Sequence, residues 1–328
     1  MRKLMTAVVV LLLSGGLAVA ESAVQSAVQS REVVDDAGRT LRIPDTPNRI
    51  VALHEALIAL PLIELGFDVV GVYGRAENGA SIYDVDFIKS VFGDDPSLRI
   101  GGIGPVGNID LEKLRALKPD LIVGMGQQTA QSDVLSEIAP VYLQATMSVG
   151  EAGFSIEKQL AEVLGRSEVF EAKRASYMER VDEVRSGLPE DPREKTYLAI
   201  IVFDQISAVR DVSGAIQAIR DLGYKQYDWA DRVTSEPARG RGFAVPLSSE
   251  EFARLDPDLL VVMNSYMSTD QSEEGIRARL DAIAPGWSRF MRVAKEDQII
   301  FLNSAQVATP TIQSALHTLS AFEQWSKR

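Results

Sequence analysis

The chain has 328 residues, 46% of them hydrophobic and 24% charged, with a net charge of −12 and no cysteine. That length suits two domains better than one small core. The acidic balance argues against a nucleic-acid reader or a binder of anionic membranes, which carry basic faces, and the lack of cysteine excludes disulfides, thiolate sites and a lipoprotein anchor.

Arg2 and Lys3 precede the apolar run AVVVLLL, and Ala18-Val19-Ala20 forms an A-x-A cleavage site. Residues 1–20 therefore read as a secretory signal peptide, with a buried N-terminal helix as the alternative. Its removal takes Arg2 and Lys3 away and moves the charge from −12 to −14. The expected location is the periplasm, as a free protein and not a lipoprotein. No second apolar run approaches the ~20 residues that span a bilayer.

Residues 21–30, ESAVQSAVQS, repeat a short unit and read as a flexible spacer. REVVDDAGRTLRIP alternates around Ala37-Gly38 and predicts a β-hairpin. RIVAL (49–53) is a strand, and HEALIALPLIELG (54–66) is an apolar helix closing on Gly66. DVVGVYG, the EKLRALK helix, DLIVGM, SDVLSEIA and VYL continue the alternation. This rhythm predicts a parallel sheet with helical crossovers over 31–154. From 155 to 189 Ile156, Leu160, Val163 and Leu164, then Val169, Ala172, Tyr177, Val181 and Val184, recur at helical spacing. Gly165-Arg166-Ser167 is a candidate interruption. The stretch reads as a strut between two lobes. Over 190–328 the first rhythm returns: TYLAIIVF, GAIQAIRDLG, EEFARLD, DLLVVM, QIIFLN and a final helix after Pro310.

One phrase occurs twice. LEKLRALKPDLIVG and EEFARLDPDLLVVM each run from an acidic amphipathic helix through Pro-Asp into an apolar strand. Glu112 and Glu250, Pro119 and Pro257, and Asp120 and Asp258 are each 138 positions apart. The plain alternative is that any helix–Pro–strand joint looks like this, because Pro stops a helix and Asp tolerates the turn. The reading preferred is two lobes of similar topology.

From about Arg31 to the end, the order and spacing of NRIVAL…LIELGFDVVGV, NIDLEKLRALKPDLIVG, the long helical stretch, PLSSEEFARLDPDLLVV and IIFLNSAQVATPTIQSALHTL resemble one family. It is the class III periplasmic substrate-binding proteins of ABC importers for ferric siderophores, haem and cobalamin. The resemblance implies two Rossmann-like α/β lobes joined by one long rigid α-helix, with the ligand between them. It further implies that Glu112 in IDLE and Glu250 in LSSE meet basic residues of the permease. A first-turn Glu also complements the helix dipole by ~0.3–1 kcal/mol, whatever else it does.

Ligands of open α/β sheets gather beyond the carboxyl ends of the strands. That rule selects His54, Tyr73, Arg75, Gln127, Gln128, Asp204, Gln205, Arg210, Ser265, Tyr266 and Gln306. The ARGRGF loop adds Arg239, Arg241 and Phe243, a local positive spot with Arg75 expected across the cleft. Arginine forks suit carboxylate and catecholate oxygens, so the expected ligand is an anionic ferric siderophore of carboxylate or mixed type. Hydroxamate binders of this family often carry an Arg before the first docking phrase, and GGIGPVGN has none. Haem or cobalamin is the alternative, with His54 a candidate iron ligand and Tyr73, Tyr83 or Tyr266 as substitutes. A lone His is more often structural, and His317 reads so from its helical spacing. Two histidines are too few for a zinc or manganese site. No cofactor of its own is expected, iron arriving only inside the siderophore. The expected partners are that ligand and the transmembrane subunits of the importer, and the expected state is a monomer.

Gly102-Ile-Gly104-Pro-Val-Gly107 matches the dinucleotide fingerprint G-x-G-x-x-G, but only LRI precedes it and Asp120 sits before the next strand. No G-x-S-x-G occurs, and two histidines nominate no acid–base set. An enzyme on this scaffold is the remote alternative to a binder.

Overall fold

The structure is a computed structural model, and it describes residues 29–146, 153–210, 213–229 and 244–328. The expected signal peptide lies outside the described residues.

The alternating segment pairs as β1 (Ser30–Val34) and β2 (Thr40–Pro44), antiparallel, with Arg31 opposite Ile43. The buried Asp35 carboxylate holds the turn by accepting from Ala37 N, Arg39 N and the Arg39 guanidinium. It also accepts from Leu143 N, so the hairpin is fastened to the first large sheet.

The first lobe then follows in order: β3 (Ile50–Ala52), a π-helical turn (Glu55–Ala59), α1 (Leu60–Glu64), β4 (Val69–Val72), α2 (Phe87–Phe92), β5 (Gly101–Gly102), α3 (Leu111–Ala116), β6 (Leu121–Met125), a 3-10 turn (Gly126–Gln131), α4 (Ser132–Ser136) and β7 (Val141–Gln144). The sheet order is β5-β4-β3-β6-β7, all parallel. Every residue of β3, β4, β6 and β7 is buried, as expected of strands covered on both faces. The predicted single helix after β3 opens into a π turn at its start. Pro61 has no N–H to continue the ladder, and Ala59 N reaches five residues back to His54 O, 2.9 Å.

The connecting region is α5 (Ser155–Val163) followed by α6 (Ser167–Ser186). Gly165 at φ 71 separates them, so the strut is a 20-residue helix with a shorter one before it and not one unbroken helix. At 1.5 Å per residue α6 spans about 30 Å.

The second lobe comprises β8 (Thr196–Val202), β9 (Ile206–Val209), α7 (Gly214–Leu222), β10 (Lys225–Gln226), β11 (Ala244–Leu247), α8 (Ser249–Ala253), β12 (Leu259–Asn264), α9 (Glu273–Ile283), α10 (Trp287–Phe290), α11 (Arg292–Lys295), β13 (Ile299–Leu302), α12 (Ser304–Val307) and α13 (Ile312–Trp325). Its order is β11-β9-β8-β12-β13, with β10 beside the start of β8. The strands β8, β12 and β13 are parallel as predicted. The antiparallel β8–β9 hairpin was not predicted, although Asp204-Gln205 between two apolar runs is its turn.

The repeated phrase fills the same slot in both lobes. The strand β6 lies between β3 and β7, and β12 lies between β8 and β13. In each case the Asp after Pro clamps the entry of the neighbouring strand. Asp120 accepts from Asn48 N at 2.7 Å and Arg49 N at 3.0 Å, just ahead of β3. Asp258 accepts from Thr196 N and Oγ1, both at 2.8 Å, at the start of β8.

Candidate functional site

The carboxyl edges of the parallel strands face the cleft, and the two expected docking acids stand on the same edge. Both begin a helix that follows a strand ending there, and both occupy the second helical position. Asp110 caps α3 by accepting from Glu112 N and Lys113 N, and Ser248 caps α8 with Glu251 returning the bond. Glu112 and Glu250 are exposed, and among the described residues neither carboxylate is ion-paired.

Between the lobes the structure brings together an aromatic cluster. Tyr266, in the loop after β12, lies 5.8 Å from the Phe87 ring of α2 and 5.6 Å from the Phe203 ring at the tip of β8. Phe87 belongs to the first lobe, so Tyr266 touches both sides of the cleft. The helix α12, which carries the half-buried Gln306, packs on α2 beside this contact. The loop that carries Tyr266 is fixed from below. Gln271 Nε2 donates to Ser265 O at 2.6 Å, and Asn264 Nδ2 donates to Asp270 O at 2.7 Å. A hollow of about 260 Å³ opens beside it, lined by Phe203, Asp204, Ser265, Met267, Ser268 and Arg279. Arg279 donates to Phe203 O at 2.9 Å and pairs with Asp204 at 3.3 Å while remaining 39% exposed. A larger hollow of about 1230 Å³ is lined by first-lobe residues, among them Arg49 ahead of β3, Asp68, Arg75, Lys89, Asp94 and Arg99.

Residues 88–305 match the model of a family described as periplasmic binding protein. The chain belongs to that family. Among solved structures, a siderophore periplasmic binding protein from the fuscachelin gene cluster of Thermobifida fusca is 21% identical, with a TM-score of 0.60 over 87% of this chain and 98% of that one. Staphylococcus aureus SirA complexed with staphyloferrin B is 18% identical, with a TM-score of 0.64 over 90% and 96%. The petrobactin-binding protein YclQ of Bacillus subtilis is 16% identical, with a TM-score of 0.61 over 92% and 99%. Among curated proteins none matches the chain. The likeness to these structures fixes the two-lobed fold, and the family is one of binding proteins and not of enzymes.

Several residues expected to line the cleft of this binding protein have other duties. Tyr73 is buried in the core beneath the first sheet, packed with Val51, Leu53 and Ile103, because the side chain after β4 turns inward. Arg75 is 6% exposed and points into its own lobe. Its guanidinium donates to both Glu55 oxygens at 3.1 Å, to Gly79 O at 2.7 Å and to the Asp86 carboxylate. It offers no fork to an anion across the cleft. Glu55 in turn accepts from Phe87 N at 2.9 Å and Ile88 N at 3.2 Å, so Arg75 positions the helix that presents Phe87. Burial raises the Glu55 carboxyl against the pull of Arg75.

His54 caps the π turn, its Nδ1 accepting from Leu57 N at 3.1 Å. Burial lowers its pKa to about 4, so it is neutral at pH 7 with its proton on Nε2. That tautomer leaves no lone pair for haem iron. His317 Nε2 bonds Val91 O at 2.8 Å, the structural role its spacing suggested. Gln128 caps the turn after β6 through Oε1, which accepts from Met125 N at 2.6 Å, while Gln127 is exposed at that edge. Arg210 follows β9, which runs back from the cleft edge, with Ala208 opposite Ile200. It therefore does not stand beyond the carboxyl ends of the parallel strands. Arg239, Arg241 and Phe243 lie outside the described residues.

Sequence reasoning passed over Phe87, Phe203, Met267 and Arg279. Phe87 had a signal: Asp86 precedes a helical pattern of Ile88, Val91 and Phe92, and its carboxylate caps α2 by accepting from Lys89 N. Arg279 had none, because its route to the cleft depends on the unpredicted β8–β9 hairpin.

Proposed function

We propose that this binding protein captures a ferric siderophore between its lobes and delivers it to the transmembrane subunits of an ABC importer in the periplasm. The observation that carries the reading is the Tyr266–Phe87–Phe203 cluster, built from both lobes and bordered by Arg279. Aromatic faces stack on flat, conjugated ligand groups, and a half-exposed guanidinium attracts oxyanions. The named ligands of the similar structures, staphyloferrin B and petrobactin, favour the same class. An anionic complex of carboxylate or mixed type suits a site whose cations are arginines, with Arg239 and Arg241 expected to add to Arg279. Glu112 and Glu250 are the proposed permease contacts. They stand exposed on the cleft edge of separate lobes, neither ion-paired among the described residues, and exposed charges of this kind set orientation and on-rate more than affinity.

Haem has less support, because His54 is committed to Leu57 N. Titration of the purified protein against ferric siderophores, haemin and cobalamin separates these readings. The expected result is saturable fluorescence change with a ferric siderophore from Trp229, Trp287 or Trp325, with no turnover. A Soret shift with haemin and silence toward every siderophore would overturn it.

A further inference from the structure

Glu64 and Glu157 are buried carboxylates that serve neither the cleft nor the docking edge. Glu64 closes α1 in the first lobe, and Glu157 lies in the first turn of α5 in the connecting region. Both converge on the start of α13, the last helix of the second lobe. Glu157 Oε2 accepts from Ile312 N and Glu64 Oε2 from Gln313 N, each at 3.1 Å. These are the first two residues of the helix after its cap Thr311, whose hydroxyl accepts from Ser314 N. Three parts of the molecule therefore meet at one point.

The chemistry of that point is unusual. A helix N-terminus favours one negative charge, but two carboxylates out of water within one turn repel each other. Lys173 of α6 acts on both carboxylates and lines a hollow of about 510 Å³ with Glu64, Gln313, Asp68 and Asp95. Glu157 Oε1 has no hydrogen-bond partner among the described residues. Further along α13, His317 Nε2 bonds Val91 O of the first lobe at 2.8 Å. A carboxylate oxygen left bare in the interior is costly, whereas a protonated carboxyl needs less solvation and can donate to its neighbour.

We propose that Glu64 and Glu157 form a proton-dependent clasp at the hinge: protonated, they fasten α13 to the first lobe and the connecting helices, and their ionisation loosens the lobes. Burial is the main reason both acids are raised, Glu64 to about 7 and Glu157 well above the ordinary carboxylate value. The two titrate as a pair. In the separated or unfolded state both ionise at ordinary carboxylate pH, so the clasp binds more protons than the open form. It is fully fastened in acid and weakens as pH rises through about 7.

The absence of native cysteine makes the test clean. Spin labels on Arg115→Cys and Arg254→Cys, exposed on α3 and after α8, report the lobe-to-lobe distance in the ligand-free protein. Because no ligand is used, the outcome is independent of the siderophore reading. The expected result is a narrow distribution at about pH 5.5 that broadens or shifts at about pH 8.5. In Glu64→Gln/Glu157→Gln, which mimics the protonated pair, it stays narrow at both. The single Glu64→Gln variant serves if the double variant does not fold. A distribution in the otherwise native protein that does not change with pH, or a pH response that survives in the glutamine variant, overturns the proposal.

Discussion

The two lobes share one joint and differ above it. At the lower edge, Asp120 and Asp258 do the same work 138 residues apart, each holding the backbone at the entry of the adjacent strand. At the upper edge the first lobe spends its arginine internally, Arg75 being closed by Glu55 and Asp86, whereas the second keeps Arg279 half-exposed beside the cleft. The lower edge is fixed by the needs of a parallel strand, which any lobe of this topology has. The upper edge is where each lobe can differ, because the loops that leave the strand ends lie there. On the proposed reading the first lobe is a wall that presents Phe87, and the second offers Arg279, which is paired with Asp204.

The largest effect should come from breaking that wall. Arg75→Ala leaves Glu55 and Asp86 facing each other in a half-buried site, and loss of one partner from a buried ion pair costs ~3–5 kcal/mol. Urea denaturation should show that loss. A change under ~1 kcal/mol would mean that Arg75 is solvated and free to meet ligand after all.

The joints give the next comparison. Asp258 binds Thr196 N, Thr196 Oγ1 and Arg292, while Asp120 binds two backbone N–H groups and no side chain among the described residues. Asp258→Ala should cost ~2–3 kcal/mol and Asp120→Ala ~1–2 kcal/mol in the same measurement, the difference reflecting the extra charge-assisted partners. Although partial burial opposes it, the bonds from Thr196 and Arg292 hold the Asp258 carboxyl below its ordinary value. Its contribution is therefore present above the ordinary carboxylate pKa and is lost as pH falls through the lowered one. Equal costs for the two substitutions would remove the asymmetry.

Much of the lower edge was legible in the sequence and much of the upper edge was not. The Pro-Asp repeat exposed the joint because its requirements are local: a helix stop, a turn, and a strand buried on both faces. The strand ends selected Tyr266 and Gln306, which lie at or beside the contact between the lobes. They misled at Tyr73 and Arg75, because the strand-end rule gives a residue's place in the chain and not the direction of its side chain. Arg75 reads the same in sequence whether it meets an anion or two acids, and its partners Glu55 and Asp86 lie 20 and 11 positions away. The clasp on α13 was invisible for the same reason, with Glu64 249 positions from Gln313.

The smallest effect on stability should come from the docking acids. Glu112→Ala with Glu250→Ala removes two exposed carboxylates and should shift stability by no more than ~0.3–1 kcal/mol each. Ligand affinity should be unchanged and import in cells abolished. Lost ligand binding in that double variant would sink the docking assignment.

On the proposed reading the ligand sits against the aromatic cluster shared by both lobes. Equilibrium titration of the native protein and of Tyr266→Ala with the ferric siderophore that binds tests it most directly. Saturable binding at one site is expected, weakened about tenfold or more without the Tyr266 ring, about 1.4 kcal/mol or more. Unchanged affinity in Tyr266→Ala, with its fold intact, would contradict it.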